Sequence, residues 1–428
     1  MRSDDCCARS DSGHRKGQVM KLAPIIKSLL ETDLYKFSMG QAIFHQFNRF
    51  RTRWDFKCRN RGIAFTPDMV QEIREQIACF CGLRFMEQEL DWMRRNIPWL
   101  SEDYISYLRR WYPRIEQICV RVSSDPCGMS ITAEGEWSDT SMYEVPILAI
   151  VSEVYYAFSL GERCESGEMD ERFTRILADK IAALVHGKYS LGTFSEFGMR
   201  RRYSADMQDW LVKTLCSQRV PGFVGTSNVY LAKKYGVRPC GTMAHEFIMC
   251  VGQGQHELNP AYSNKFMMDA WTREYGVENG IALTDTITTD NFLLDFDKKY
   301  ATLFSGVRHD SGDPFEWANR VIAHYRSIGI DPRTKTLLFS DSLDFERATK
   351  IYRAFKDVAS VAFGIGTYLS CDLGDDVERL NIVMKVTECN GQPVAKLSDA
   401  AGKGMCRDES YVNYLERCIA WRKAHKEN

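Results

Sequence analysis

A repeated pattern in the second half of the chain constrains the fold more than any other feature of the sequence. From residue 161 onward, short strand-like runs end in small or polar residues, and a helical pattern follows each run. Such units predict an α/β barrel over residues 161–390, with its functional groups at the carboxyl ends of the strands. The predicted strand ends are Glu196-Phe197-Gly198, Gly225-Thr226-Ser227, Cys240-Gly241-Thr242, Thr284-Asp285-Thr286, Arg308-His309-Asp310, Ser340-Asp341-Ser342 and Gly364-Ile365-Gly366.

Residues 20–160 lack this repeat. Their strand and helix patterns follow no regular order, with strands predicted at residues 53–58, 115–123 and 129–137 and helices at 67–81 and 85–95. Residues 143–159 form a helical pattern that is apolar on nearly every side, which indicates burial between layers. This organisation predicts a separate N-terminal α+β domain.

The two ends of the chain differ from both units. Residues 1–19 are almost entirely charged or polar and are predicted to be a disordered tail. Asn390-Gly391 stands between two alternating runs, which predicts a hairpin, and residues 411–423 form an amphipathic helix. We expect this terminal segment, residues 391–428, to pack back on the N-terminal domain.

Composition excludes several classes of function. The net charge of −1 over 428 residues argues against a general nucleic-acid or membrane-surface partner. The most apolar segment, residues 145–160, carries Ser152 and Glu153 and is a poor membrane span. The fifteen cysteines are scattered, with no Cys-x-x-Cys pair, so we expect reduced thiols in a cytoplasmic protein and no structural metal.

His245 is the first candidate for the reacting group. It follows the small-residue turn Gly241-Thr242-Met243-Ala244, in which Thr242 can cap a helix start, and Glu246 falls in the first helical turn. A neutral imidazole is a good nitrogen nucleophile at pH 7. The alternative is a partly buried structural histidine at a strand–helix turn.

Three strand ends favour an anionic ligand. Arg200-Arg201-Arg202 offers bidentate donors for phosphate, and Gly364, Gly366 and Thr367 offer backbone N–H groups at a helix start. The segment from Arg308 to Pro314 combines a cation with Asp310 and Asp313, and Asp285 and Asp341 add carboxylates at other strand ends. Each motif has a plain alternative: a solvated arginine face, a tight glycine turn or a capping aspartate. Together they predict a phosphorylated sugar with a Mg²⁺-bound pyrophosphate.

The order and spacing of these motifs resemble nicotinate phosphoribosyltransferase from about residue 29 to the C-terminal helix. The resemblance implies an N-terminal domain and an irregular, TIM-like α/β barrel of the type II phosphoribosyltransferase kind. It also implies synthesis of nicotinate mononucleotide from nicotinate and phosphoribosyl pyrophosphate, with Mg²⁺ and with ATP hydrolysis coupled through phosphorylation of His245. The carrying motifs are Thr32-Asp33-Leu34-Tyr35-Lys36, Glu196-Phe197-Gly198-Met199-Arg200-Arg201, Gly225-Thr226-Ser227-Asn228, Gly241-Thr242-Met243-Ala244-His245-Glu246, Arg308-His309-Asp310-Ser311-Gly312-Asp313-Pro314 and Phe363-Gly364-Ile365-Gly366-Thr367.

The resemblance also assigns residue roles. Tyr35 and Phe197 are expected to enclose the pyridine ring, and because the matching tyrosine of the related nicotinamide enzyme comes from a neighbouring subunit, a homodimer is expected. Ser227 stands where that relative has an aspartate, which favours the acid over the amide. The remaining expectations are Arg308 for nicotinate and phosphate; Arg200, Arg201, Asp341, Gly364, Gly366 and Thr367 for phosphate and ribose; and His245, Glu246, Asp285 and Asp310 as the catalytic group, with Asp285 and Asp310 meeting Mg²⁺ through water.

Three other functions stay open at this point. A nicotinamide phosphoribosyltransferase differs in its acceptor, and a quinolinate-using enzyme would need more basic residues for two carboxylates. A barrel that senses a phosphorylated metabolite without catalysis would bind such a ligand and release no pyrophosphate.

Overall fold

The computed structural model describes residues 21–400 and 404–425. The predicted tail, residues 1–19, lies outside these residues. Within them, no helix combines the length and the apolarity that crossing a membrane requires.

The elements of the described residues are numbered in chain order. The strands are β1 (Arg51–Cys58), β2 (Ile118–Val122), β3 (Met129–Glu136), β4 (Thr193–Glu196), β5 (Phe223–Thr226), β6 (Arg238–Pro239), β7 (Ile281–Leu283), β8 (Gly306–His309), β9 (Thr336–Phe339), β10 (Ser360–Ile365), β11 (Ile382–Cys389) and β12 (Gln392–Pro393). The helices are α1 (Leu34–Gln46), α2 (Pro67–Cys81), α3 (Glu87–Asn96), α4 (Glu102–Arg110), α5 (Trp137–Thr140), α6 (Glu144–Leu160), α7 (Glu162–Glu165), α8 (Glu168–Val185), α9 (Ala205–Ser217), α10 (Val229–Tyr235), α11 (His245–Gln253), α12 (Ser263–Tyr275), α13 (Thr289–Asp295), α14 (Lys298–Leu303), α15 (Pro314–Ser327), α16 (Phe345–Phe355), α17 (Thr367–Ser370) and α18 (Glu409–His425). Short 3₁₀ turns occur at Ile115–Gln117, Ser141–Tyr143, Met199–Arg201, Pro260–Tyr262 and Pro332–Thr334.

A seven-stranded parallel sheet forms the second unit, in the order β6-β5-β4-β10-β9-β8-β7. All seven predicted strand ends include or directly follow the last residue of one of these strands, so the predicted irregular barrel is confirmed. The sheet remains a half-barrel, because β6 and β7 are its two edges in the described chain. Helices α11 and α12, which pack against each other, lie between these edge strands in sequence.

Helix α6 connects the two units. It contains the predicted all-apolar helix, and most of its residues from Glu144 to Tyr156 are buried. It packs on α2 of the N-terminal unit, on the 3₁₀ turn Met199–Arg201 and on β11. The arginine triplet is therefore held against the core of the molecule, because this turn begins just beyond β4 and packs on α6.

The predicted hairpin is present, but its first strand belongs to the other sheet. Asn390 and Gly391 both adopt positive φ angles, of 51° and 78°, as a two-residue hairpin turn requires. Strand β11 pairs antiparallel with β1, which gives the five-stranded order β12-β11-β1-β3-β2. The predicted boundary at residue 390 thus separates β11 from its sheet, because β1 supplies the ladder hydrogen bonds along its length.

The terminal helix α18 also differs from the expectation that it packs on the N-terminal domain. Its Leu415 and Ile419 cluster with Ala261 and Ile287, which belong to the barrel unit. The buried Arg422 forms an ion pair with Asp295 and donates a hydrogen bond to the Ala261 carbonyl at 2.7 Å. A buried guanidinium needs such partners, and the barrel unit supplies them.

Candidate active site

His245 is the first residue of α11, with Ala244 at the N-cap position. Thr242 does not cap the helix as predicted, because its hydroxyl accepts a hydrogen bond from Arg308 Nη1 at 2.7 Å. The turn therefore has two functions: it begins the helix that carries His245, and it fixes the arginine at the end of β8.

His245 is paired with Asp285, which lies just beyond β7. Its Nε2 is 2.9 Å from Asp285 Oδ1. Burial, together with the charge of Lys396, lowers the pKa of His245 to about 4, although Asp285 acts in the opposite direction. The imidazole is therefore neutral at pH 7 and donates its Nε2 hydrogen to Asp285. No described residue forms a hydrogen bond with Nδ1, which leaves a nucleophilic nitrogen.

Asp285 is tightly held by its neighbours. Its Oδ2 accepts a hydrogen bond from Ser311 Oγ at 2.5 Å and lies 2.9 Å from Lys396 Nζ. Burial alone would raise the pKa of Asp285, but His245 and Lys396 lower it well below its usual value. Asp285 is thus an ionised carboxylate that fixes the orientation of the imidazole.

Asp310 is the third member of this group. Its Oδ1 accepts from Ser340 Oγ at 2.9 Å, and its Oδ2 lies 3.7 Å from His245 Nε2. One ligand atom each from His245, Asp285 and Asp310 lie within 4.8 Å of one another, which is the spacing of a possible cation site. Both Asp285 oxygens already have protein partners, so these residues fit a hydrated Mg²⁺ contacted through Asp310 better than an ion bound directly by all three. The magnesium site itself stays a prediction.

Arg308, on β8 two residues before Asp310, offers an unused hydrogen-bond donor. Its side chain is 8% exposed, and its buried Nε has no hydrogen-bond partner in the described part of the chain. An unpaired buried donor is costly, so this atom is suited to an acceptor that a ligand provides.

The three consecutive arginines have three different environments. Arg200 is 40% exposed and lies 3.5 Å from Glu144 and 3.7 Å from Asp33. Arg201 donates from Nε to the Ile382 carbonyl at 3.0 Å, and burial lowers its pKa to about 10.

Arg202 is fully buried and pairs with Glu153 at 2.7 Å and Glu31 at 3.1 Å. The idea that Arg202 contributes to ligand binding is therefore wrong, because its charge is used inside the core.

Two lysines near the site, the half-buried Lys385 and the buried Lys396, are absent from the sequence-based prediction. Lys385 on β11 lies 3.7 Å from Glu144, and burial, with Arg200 and Lys396 nearby, lowers its pKa to about 8. Lys396 follows the hairpin and holds Asp285. Each lysine interrupts an apolar run, Ile382-Val383-Met384-Lys385-Val386 and Val394-Ala395-Lys396-Leu397. A lone charge in a buried strand is the signal that could have identified them.

Tyr35 is one of the two residues expected to enclose the pyridine ring. Tyr35 is buried at the start of α1, and its hydroxyl has no hydrogen-bond partner among the residues described. Tyr35 interacts electrostatically with Arg200, so the two side chains are neighbours. Ser227 donates to Asp33 Oδ1 at 2.6 Å, which links β5 to the segment before Tyr35.

Phe197 is half-buried beyond β4 and depends on Gly364 for its position. A Cβ atom on Gly364 would lie 2.4 Å from the Phe197 ring. Gly366 is the N-cap residue of the one-turn helix α17, which Thr367 begins. Asp341 lies beyond β9, where it accepts from Ser342 at 2.9 Å. The phosphate and ribose roles of Gly364, Gly366, Thr367 and Asp341 stay predictions.

Glu246 points away from the His245 group. Its carboxylate pairs with Lys36 and accepts a hydrogen bond from Ser141 Oγ at 2.5 Å. The structure therefore does not bring Glu246 together with Asp285 and Asp310, and its predicted catalytic role is replaced by a buried ion pair.

A cavity of about 760 Å³ lies between β1 and α18. Lys396 lines this cavity and contacts Asp285, which links the cavity to the His245 group.

The fold and the site define an enzyme of the α/β-barrel class, in which a neutral histidine contacts two carboxylates at the strand ends. Residues 30–152 match the nicotinate phosphoribosyltransferase (NAPRTase) N-terminal domain, and residues 193–420 match the nicotinate phosphoribosyltransferase (NAPRTase) family. The chain belongs to the nicotinate phosphoribosyltransferase family.

Individual relatives match most of the chain. The nicotinate phosphoribosyltransferase of Ralstonia nicotianae is 41% identical over 396 residues, which cover 92% of this chain and 98% of the relative. That of an Acidovorax species is 43% identical over 404 residues, with coverage of 92% and 98%. The crystal structure of nicotinate phosphoribosyltransferase from Vibrio cholerae has a TM-score of 0.86 at 32% identity and covers 94% of this chain and 96% of that chain.

Proposed function

We propose that this enzyme forms nicotinate mononucleotide and pyrophosphate from nicotinate and phosphoribosyl pyrophosphate. We further propose that ATP hydrolysis is coupled to the reaction through phosphorylation of His245, in cytoplasmic NAD salvage. The observation that carries the proposal is the neutral His245, held by Asp285 through Nε2, with Nδ1 free of protein partners. A sensing barrel has no need for a nucleophile prepared in this way.

Transfer of the phosphoribosyl group depends on stabilisation of the developing charges and does not require a general base. The pyridine nitrogen of nicotinate is unprotonated near neutral pH and attacks the anomeric carbon, while the bond from that carbon to the pyrophosphate oxygen breaks. Arg200 and Arg308 would neutralise the negative charge of the pyrophosphate leaving group. The carboxylates of Asp285 and Asp310 would stabilise the positive charge that develops on the sugar. Mg²⁺ bound to the pyrophosphate would supply further neutralisation, with Asp310 as the residue that contacts its waters.

Phosphorylation of His245 by ATP uses Nδ1, the imidazole nitrogen that is not bonded to Asp285. His245 Nδ1 attacks the γ-phosphorus of ATP, the bond from that phosphorus to the ADP oxygen breaks, and ADP leaves. The hydrogen stays on Nε2 and is donated to Asp285 throughout, so the carboxylate stabilises the positive charge that the ring gains when Nδ1 is phosphorylated. The phosphorylated ring adds negative charge beside Asp310 and changes how tightly anionic substrates and products are held, until water releases the phosphate.

Recognition of the acid is proposed to come from arginine. The unpartnered Arg308 Nε can donate to the nicotinate carboxylate. Ser227 contributes differently from the sequence-based expectation, because its hydroxyl hydrogen is directed to Asp33. It keeps the Asp33 carboxylate fixed beside Arg200, which lies 3.7 Å away and offsets its charge.

Pyrophosphate release tests the proposed substrates. The full chain is assayed with phosphoribosyl pyrophosphate and Mg²⁺, with nicotinate or nicotinamide as acceptor, and with or without ATP. We expect release with nicotinate that ATP stimulates. Release with nicotinamide alone would assign the sister activity instead, and binding of phosphoribosyl pyrophosphate without release from either acceptor would support the sensing function.

A further inference from the structure

Lys36 is a fully buried lysine, with 0% exposure, on helix α1. Its Nζ lies 2.8 Å from Glu144 Oε2 and pairs on its other side with Glu246. The Trp54 ring lies beneath it, with its centroid 4.9 Å from Nζ. Lys36 is thus enclosed between two buried carboxylates and cannot itself reach a ligand.

Glu144 divides its two oxygens between Lys36 and the active site. Oε2 contacts Lys36, whereas Oε1 lies 3.5 Å from Arg200 and 3.7 Å from Lys385. Although burial alone would raise the pKa of Glu144, the three cations lower it to about 2, so the group is ionised. One buried anion is therefore shared by a cation of the core and two cations that face the site.

We propose that Lys36 is a positioning residue that neutralises Glu144 and so leaves Arg200 and Lys385 charged and available for the pyrophosphate group of the substrate. This inference rests on the proposed function, which gives Arg200 a phosphate ligand. It adds a role for the lysine of the Thr32-Asp33-Leu34-Tyr35-Lys36 motif that none of the assignments above includes.

The physical reason is competition for positive charge in a dry environment. Charges this close interact much more strongly in the protein interior than in water. Without Lys36, the whole negative charge of Glu144 is balanced by Arg200 and Lys385. A pyrophosphate then has to displace those contacts before it binds, and its affinity falls.

Binding of inorganic pyrophosphate, measured by calorimetry on the full chain, tests the inference. We expect Lys36→Met to weaken binding about tenfold and Lys36→Arg to stay within about threefold of the wild type. The double variant Lys36→Met/Glu144→Gln should recover most of the affinity, because the competing carboxylate is gone. The double variant Lys36→Met/Glu246→Gln should remain weak.

The two double variants are matched controls for folding. Each replaces one of the two carboxylates that lose their lysine partner when Lys36 is changed to methionine. Both should regain thermal stability relative to Lys36→Met, whereas only the Glu144 change should regain pyrophosphate affinity. Equal recovery of affinity in both would overturn the inference and make Lys36 purely structural, as would wild-type affinity in Lys36→Met.

The remaining outcomes cover a variant that does not fold and separate the inference from the proposed function. If Lys36→Met does not fold in any background, Glu144→Gln alone decides: it should bind pyrophosphate at least as tightly as the wild type, and a tenfold loss contradicts the competition. If the wild type binds pyrophosphate with this pattern but releases none from phosphoribosyl pyrophosphate, the proposed function fails alone. A wild type that does not bind pyrophosphate overturns the inference.

Discussion

At the scale of single residues, adjacent side chains in this protein serve opposite purposes. Arg200 is half-exposed beside Asp33 and Glu144, and Arg202, two residues later, is enclosed by Glu31 and Glu153. The same division separates His245, which faces Asp285, from Glu246, which faces Lys36. Chemical type alone therefore does not determine function within these motifs.

Methionine substitutions of the two arginines should separate binding from stability. Arg202→Met removes the cation that balances Glu31 and Glu153 and should lower the free energy of unfolding by about 3–5 kcal/mol. Arg200→Met should change stability by less than about 1 kcal/mol and raise the KM for phosphoribosyl pyrophosphate about tenfold. Urea unfolding and steady-state kinetics measure the two effects, and the reverse pattern would contradict this division.

The pKa of His245 predicts an effect of acid on stability. Its folded pKa of about 4 lies below the unfolded value of about 6.5, so the unfolded state takes up a proton first and stability falls as the pH decreases through this range. The expected contribution is a loss of about 2 kcal/mol between pH 7 and pH 5.

His245→Gln is the matched variant for this measurement, because its amide can still donate to Asp285 but does not titrate. Urea unfolding at the two pH values should show a larger loss in the wild type than in the variant by that amount. Equal losses would show that His245 is protonated in the folded protein at pH 5.

At the scale of secondary-structure elements, strands β4 and β10 position the expected ring-binding site. The Phe197 backbone N–H donates to the Ile365 carbonyl at 2.8 Å, and the Phe197 ring occupies the space that a side chain at residue 364 would fill. The glycine at the end of β10 therefore serves close packing of an aromatic ring, beyond the phosphate role that the sequence suggests.

Gly364→Ala should displace the Phe197 ring. We expect a loss of about 1–3 kcal/mol of unfolding free energy and a higher KM for nicotinate. Adding Phe197→Leu should recover part of the stability, since the leucine side chain is smaller, without recovering the KM. An unchanged nicotinate KM in Gly364→Ala would contradict a role for Phe197 in holding the ring.

The success of sequence-based prediction differs between these elements for physical reasons. The seven strand ends are recognisable because each strand is short and is followed by a small or polar turn. The hairpin turn is equally clear from Asn390-Gly391, but the sheet that β11 joins is not, because pairing with β1 spans more than 300 residues of sequence. Lys385 and Lys396 escape prediction for the same reason, since only the hairpin's position brings them beside Glu144 and Asp285.

At the scale of the whole molecule, the N-terminal segment and the barrel unit meet beside the expected ring-binding residues. Tyr35 neighbours Arg200, and Asp33 bonds Ser227, all within a single chain. The expectation of a homodimer rested on a tyrosine donated by a second subunit. The oligomeric state stays a prediction.

Subunit complementation tests whether the site is formed by one chain. Tyr35→Ala and Arg308→Ala are prepared separately, mixed in equal amounts after mild denaturation and refolded together. If one chain forms the whole site, the activity of the mixture should equal the mean of the separately refolded variants. Activity well above that mean would show that Tyr35 acts on a neighbouring chain.

The most direct test of the account is the effect of ATP on nicotinate mononucleotide synthesis in the wild type and in His245→Ala. The account predicts that labelled γ-phosphate is transferred from ATP to the wild-type protein and that nicotinate increases its turnover. The variant should incorporate no label, lose stimulation by ATP and keep some ATP-independent synthesis. Full retention of ATP stimulation in His245→Ala would contradict the central role of this histidine.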